Sequence, residues 1–419
     1  MKLLLINQDW FAEEWRAAGH EVLIARTAPP CDVRIPAPFT PWQQLCGDFK
    51  PDCIVVHDNS SPIIVSGIEE AQVPVVFYSV DAHHHTHYHK LLAGAFDLTF
   101  VAQKDYIAEF SQQGNPISWL PLWASRFVEA STEKKYGAVF VGTMDARLNP
   151  DRVNFFTELQ KRVPLVVERG EYWTIFPHAE IVVNQTVKGD LNFRVFEAMM
   201  CGAMLLTEAS RNGLEELFTP GRHLVTYAKG DVAQAAQQIE KYLADNQACR
   251  NIAAAGREEI LQEHLAKHRA ATALSAIENL KRRESRTRYF GMMVNYAVLG
   301  LLFDDSNEPA ALAGRLHALR CAEKAIARHE DLPQEMACHL VVAAAKHDAA
   351  TKSRAGVHLL RECVQKYPQH PIPAFGAIRD HLNHGEKEAA AEIAGLFPGD
   401  KENVFNSAEK LVSELLNRA

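Results

Sequence analysis

Twice along its length the chain alternates short apolar runs with amphipathic stretches, and this rhythm leaves few folds open to it. The runs at 2–7, 21–25, 53–57, 73–80, 98–102 and 117–120 carry few polar interruptions. Strands of a parallel sheet read that way, because helices bury both of its faces. Between the first two runs, Phe11, Trp15 and Ala18 mark an amphipathic helix that stops at Gly19. A polar stretch at 129–135 then reads as a linker. Beyond it the rhythm restarts: strand at 136–141 ending on Gly142-Thr143, helix at 153–162, strands at 164–168, 181–184, 203–207 and 225–228, and helix from 231 to about 282. The prediction is α/β, with one unit at 1–124 and a second at 136–282. Two such units bind ligands in the cleft between them, where strand carboxyl ends and helix N-termini converge.

From 286 the character changes. Residues 286–419 are alanine-rich with helical periodicity, and pieces at 317–328, 334–346 and 356–366 have the length of helical-hairpin repeats. An all-α C-terminal domain is expected, with the tetratricopeptide type as the candidate for its repeat. Such a tail recruits a protein partner, forms a homo-oligomer contact or buttresses the cleft.

Composition closes several other routes. A net charge of −8 argues against a nucleic-acid binder. The eight cysteines are scattered without a Cys-x-x-Cys pair, as reduced buried thiols are. The apolar N-terminal run is too short for a signal peptide, and none approaches the roughly 20 residues of a membrane span. A cytoplasmic protein is expected. The first turn, Asn7-Gln8-Asp9-Trp10, lacks the Gly-x-Gly-x-x-Gly of a dinucleotide site, which argues against a dehydrogenase.

The most informative segment is 189–208. It reads as a loop, a helix opening at Asn192, a stop at Gly202 and an apolar strand. Phe193, Val195, Phe196, Met199 and Met200 fill one wide arc of that helix, and Glu197 falls beside them. A carboxylate there is costly to bury unless hydrogen-bonded. Either Arg194 pairs with it, or ligand hydroxyls do. Asn192 is an N-cap, and the helix N-terminus with Arg194 suits a phosphate.

Asn184, Leu191 through Ala203, Thr207-Glu208 and Gly213-Leu214-Glu215-Glu216-Leu217 resemble the nucleotide-sugar-binding half of GT-B glycosyltransferases, and most of all the spore-maturation CgeB-like and group 1 families. Phe140-Val141-Gly142-Thr143 and Gly221-Arg222-His223-Leu224-Val225 share the resemblance. It implies two Rossmann-like domains facing across a cleft and a metal-independent transferase needing no cofactor beyond its nucleoside-diphospho-sugar donor. It also implies that Glu197 holds the ribose, that loop 142–147 with Gly142, Thr143 and Arg147, and Arg194, lie near the pyrophosphate, that Gly213 and Leu214 lie near the sugar and phosphates, and that Asn184 and Asn192 belong to the donor-binding set. Many retaining members carry a second glutamate eight residues earlier, at the sugar. Here Gly189 stands there and Asp190 is one position off. The stereochemistry therefore stays open, and a silent scaffold or an epimerase on the same fold are the alternatives.

The run Asp81-Ala82-His83-His84-His85-Thr86-His87-Tyr88-His89 leaves three readings: a metal site, a polar loop, or a catalytic group at a strand end. Asp81 and His83 are the catalytic candidates, as base toward an acceptor hydroxyl or as hydrogen-bond partners of the donor sugar. His57-Asp58-Asn59-Ser60-Ser61 suits ordinary turn chemistry. Arg152 reads as a solvated arginine within reach of phosphate. The basic run 281–288 reads as a solvated or domain-docking helix face.

Overall fold

A computed structural model describes residues 1–397 and 400–418. Two parallel sheets organise the first two thirds. The first holds seven strands: β1 (Lys2–Ile6), β2 (Glu21–Arg26), β3 (Val33–Arg34), β4 (Cys53–His57), β5 (Val75–Ser79), β6 (Leu98–Val101) and β7 (Ile117–Trp119), in the order β3-β2-β1-β4-β5-β6-β7. The second holds β8 (Tyr136–Val141), β9 (Leu165–Glu168), β10 (Ala179–Asn184), β11 (Met204–Glu208) and β12 (Val225–Tyr227), in the order β12-β11-β10-β8-β9. Every residue of β4, β5 and β11 is buried, as strands covered on both faces must be.

In each sheet the strand order reverses once, opening a crevice at the strand carboxyl ends. In the first sheet this lies between β1 and β4, where Asn7 Nδ2 donates to the carbonyl of His57 at 3.0 Å. In the second it lies between β8 and β10, ending at Val141 and Asn184. The two domains share an apolar core that includes Leu3 and Val55 of the first and Val139 and Leu205 of the second. An aromatic seam joins them: Phe193 packs on Trp123 at 5.3 Å and on Trp10 at 6.3 Å.

The helical stretch expected at 231–282 ends earlier, with helices Val232–Ala244, Asn246–Glu263 and Ala266–Ile277. The third of these belongs to the interface. Trp15 Nε1 donates to the carbonyl of Ala270 at 3.0 Å, and Arg269 Nε to that of Pro121 at 2.9 Å.

Seven helices occupy 288–418 among the described residues. They are not a detached module. Helix Arg288–Leu302 is apolar on nearly every side, and such a helix must be buried all round. It packs Phe290, Met293 and Tyr296 into the same core as Leu4, Val56 and Val75 of the first sheet. Asn295 both donates to and accepts from the backbone of Ile63, at 2.9 and 2.8 Å. The basic run has the docking role. Asp97, fully buried, takes Arg288 Nη2 at 2.8 Å and Arg282 Nη1 at 3.1 Å.

Candidate active site in the interdomain cleft

The histidine run is a helix, Ala82–Leu92, and not a loop. Ala82, Tyr88, Leu91 and Leu92 supply its buried face, and Asp81 stands at its N-cap position at the end of β5. Its imidazoles are dispersed around the helix: His89 Nδ1 bonds Ser79 Oγ at 2.9 Å, whereas His84 and His87 are exposed. Among the described residues, no three His, Cys, Asp or Glu side chains are grouped to hold a metal.

Asp58 ends β4 and accepts the backbone N–H groups of Ser60, Val80 and Asp81 at 2.8, 3.1 and 2.9 Å. It thereby fixes the two strand ends, the turn role expected of 57–61. Burial pushes its carboxyl up. The Asp81 carboxylate accepts the Ser60 hydroxyl. His83 is buried with no partner for Nδ1, and burial, then the neighbouring His84, lowers its pKa to about 4. At neutral pH it is an uncharged imidazole.

From the second domain come Asp190, Asn192 and Phe193. With Asp81, His83 and Trp10 they border a cavity of about 270 Å³. Asn192 Oδ1 is buried without a partner. Asp190 is buried too, its Oδ1 accepting the Val187 N–H at 2.5 Å, and burial raises its pKa to about 6. Two cross-domain bonds hold the walls: Leu191 N–H to Gln103 Oε1 at 2.8 Å, and Lys188 Nζ to the His83 carbonyl at 3.2 Å. Asp190 is the residue that sequence reasoning passed over. Lys188 and Gly189 both have left-handed backbones, with φ of 54° and 80°, and the turn they make carries Asp190 into the cleft.

A larger cavity of about 800 Å³ lies beside the first, and Ser60 borders both. Thr143, Asn149 and Arg152 line it from the second domain. Asn149 caps helix Pro150–Gln160 by accepting Arg152 N–H, and Arg152 Nε donates to Gln185 Oε1 at 3.1 Å. A helix N-terminus beside a guanidinium is suited to an anion. Arg152 is half-buried here, not the solvated arginine expected.

Several other expected donor contacts lie elsewhere. Arg194 directs its guanidinium to the Val141 carbonyl and, from Nη1 at 2.8 Å, to Asn184 Oδ1. Asn184, fully buried, also donates to Thr207 Oγ1 at 3.0 Å. Both side chains are thus committed within the protein and border neither cavity. The Arg194–Glu197 pair is not formed. Glu197 Oε1 accepts Ser125 Oγ at 2.8 Å, with Tyr172 OH 3.1 Å from the same hydroxyl. Arg147 pairs with Asp145 on the surface. Gly142 abuts Arg194: a Cβ there would stand 2.7 Å from Nη2. Gly213 and Leu214 form a domain contact, where a Cβ on Gly213 would strike the Trp119 ring and Leu214 is buried.

The family model for glycosyl transferase-like proteins matches residues 125–275, ending before the tail. Among solved structures, sucrose-phosphate synthase of Thermosynechococcus elongatus is similar at a TM-score of 0.52 and 12% identity, covering 66% of this chain and 98% of that one. HepE of Anabaena, solved in complex with UDP and glucose, is similar at 0.50 and 14% identity, covering 67% and 100%. At such identities the likeness is one of fold: two Rossmann-like domains in the GT-B arrangement. No curated protein matches the chain.

Proposed function

We propose that this chain is a glycosyltransferase that moves a sugar from a nucleoside-diphospho-sugar to a hydroxyl on a polypeptide, without a metal ion. The observation that carries the reading is the cleft itself, within reach of the stretch that matches the transferase model. Unpartnered polar atoms from both domains, His83 Nδ1 and Asn192 Oδ1, border one cavity with the carboxyl groups of Asp81 and Asp190. Buried polar atoms without partners mark a site that a ligand completes.

The donor sugar occupies this cavity. Neutral His83, Asn192 and the Asp190 carboxyl hydrogen-bond its hydroxyls, and the diphosphate runs toward Thr143 and Arg152. The acceptor oxygen attacks the anomeric carbon and gives its proton to the Asp81 carboxylate. The bond from that carbon to the diphosphate oxygen breaks, and Arg152 with the N-terminus of helix Pro150–Gln160 meets the leaving charge. Glu197 accepts the ribose hydroxyls beside Ser125.

Thermal-shift screening of the full chain against UDP-, GDP-, ADP- and CMP-sugars tests the reading, followed by assay of free nucleoside diphosphate in buffer containing EDTA. Stabilisation by one nucleotide family and EDTA-resistant release support it. Absence of both sinks it. Interconversion of the sugar without nucleotide release would identify an epimerase instead.

A further inference from the structure

The larger cavity exceeds what a diphosphate needs. Its second-domain wall carries Thr143 and Arg152, but its opposite side is formed by the histidine helix and by three helices of the tail. The tail's share of the lining is largely aliphatic, Val298, Leu301 and Leu302 on one helix and Leu415 on the last, with Leu148 from the second domain, while the histidine helix adds His84, His85 and His87. Leu302 and Leu148 are 57% and 77% exposed. Large aliphatic groups gathered in one exposed concavity mark a binding surface. Within this apolar wall sit two buried polar atoms that have no partner, Tyr88 OH and His339 Nδ1.

We infer that this tail-side half of the cavity binds the acceptor as a polypeptide segment, with Tyr88 and His339 hydrogen-bonding its backbone; the inference rests on the transferase reading above. The lining selects the class. A glycan needs many polar partners, and the tail helices offer it His339 alone, with Tyr88, His84, His85 and His87 confined to the histidine helix. A lipid chain suits the leucines but leaves Tyr88 OH and His339 Nδ1 buried and unsatisfied, which is costly. A peptide satisfies both, since its aliphatic side chains meet the leucines and its amides meet the two polar atoms. Ser60 borders both cavities, and its hydroxyl bonds the Asp81 carboxylate, so a serine or threonine of the bound segment reaches Asp81 by passing Ser60. The tail is then a wall of the acceptor site rather than an appendage.

The test offers the full-length protein a panel of sugar-radiolabelled UDP-, GDP-, ADP- and CMP-sugars. Three acceptor probes are used: a pool of 15-residue peptides with a central Ser or Thr among aliphatic residues, dodecyl maltoside, and maltotriose. Labelled peptide is the expected product. Leu302→Asp lowers kcat/KM for peptide about tenfold or more, and Tyr88→Phe several-fold by removing one hydrogen bond. Both keep the wild-type melting temperature, and Leu396→Asp, an exposed tail leucine outside the cavity, transfers as wild type does. Label on dodecyl maltoside or maltotriose and not on peptide overturns the inference. So does donor consumption that labels none of the three, or Leu302→Asp transferring to peptide as well as Leu396→Asp. A protein that neither binds nor consumes any nucleotide-sugar overturns the transferase reading itself.

Discussion

Arg194 donates to the carbonyl oxygen of Val141 through two nitrogens, Nε at 3.2 Å and Nη2 at 3.0 Å. That carbonyl ends β8 at the point where the second sheet reverses its strand order, and Nη1 of the same guanidinium reaches Asn184 at the end of β10. One side chain thus laces together the two strand ends that frame the second domain's crevice. It is half-buried, desolvation lowers its pKa to about 10, and it stacks over Phe140 at 4.6 Å.

The first prediction follows from that commitment. Arg194→Ala strands a buried carbonyl and the Asn184 amide oxygen, which costs about 2–4 kcal/mol of stability. Lysine cannot reproduce the fork and rescues only in part. Chemical denaturation checks the cost. If the alanine variant melts like wild type while losing nucleotide binding, Arg194 acts on phosphate and its structural role is refuted.

The tail makes a second prediction. Asp97 is fully buried and is satisfied by the backbone N–H groups of Val75 and Arg283 together with the guanidinium groups of Arg282 and Arg288. Truncation after residue 281 removes all of these partners except Val75 and bares the sheet face under Phe290, Met293 and Tyr296. A buried charge left unpaired costs about 3–5 kcal/mol, before any loss of apolar burial. The 1–281 fragment should therefore be insoluble or aggregated on size-exclusion chromatography. A monodisperse, folded fragment would show the tail to be separable.

What the sequence disclosed followed the range of the forces involved. Apolar runs such as Cys53–His57 are written locally, so every strand but the two-residue edge strand β3 was readable from periodicity, and Asn192 opens its helix where expected. Asp190 was not, because its place depends on the left-handed backbones of Lys188 and Gly189, and counting residues cannot see a turn. The partners of Arg194 and Glu197 come from β8 and from Ser125, which are distant in sequence, and so spacing suggested that the two would pair with each other. The histidine run lacks a strong apolar stripe, and its helical state is set by packing under the tail. Helix Arg288–Leu302 did carry a usable signal in its all-round apolarity, which is incompatible with a solvent-facing repeat.

Catalysis supplies a third prediction. With the acceptor proton passing to Asp81, Asp81→Asn lowers kcat by about 10²–10⁴-fold while donor KM changes little. Asp190→Asn keeps a hydrogen-bonding group at the sugar and costs less. Steady-state kinetics on both variants checks the order. An Asp190 variant more damaged than the Asp81 variant would move the essential carboxyl to the second domain.

Stability should depend on pH through buried imidazoles. His57 and His83 are held down to about 4, His264 and His339 to about 3, each chiefly by burial. Above pH 6.5 both folded and unfolded chains keep these groups neutral. As pH falls below 6.5 the unfolded chain binds protons that the folded one refuses, so stability declines. Burial also raises the carboxyls of Asp58, Glu69, Asp190, Glu197 and Glu330, which pulls the other way, Asp190 already from about pH 6, but the four imidazoles outweigh it. The steepest loss is therefore expected between pH 6.5 and about 5. Melting temperatures at pH 7.5, 6.5, 5.5 and 5.0 check this, and a flat or rising series contradicts it.

Glu197 gives the last prediction. Its carboxylate is half-buried, raised by desolvation and held by Ser125 rather than by an ion pair with Arg194. A carboxylate supported by a neutral hydroxyl keeps its remaining lone pairs for vicinal hydroxyls, as ribose presents them. Glu197→Ala removes the hydrogen bonds with the Ser125 and Tyr172 hydroxyls, so stability falls by about 1–2 kcal/mol. Nucleotide affinity should fall much further, by tenfold or more, because hydrogen bonds to a charged acceptor are worth about 1.5–3 kcal/mol each. Calorimetric titration with the nucleotide that best stabilises the wild type, set against its 2′-deoxy analogue, separates the roles. Wild type should discriminate between the two and Glu197→Ala should not. Equal discrimination by both proteins would take the ribose away from Glu197.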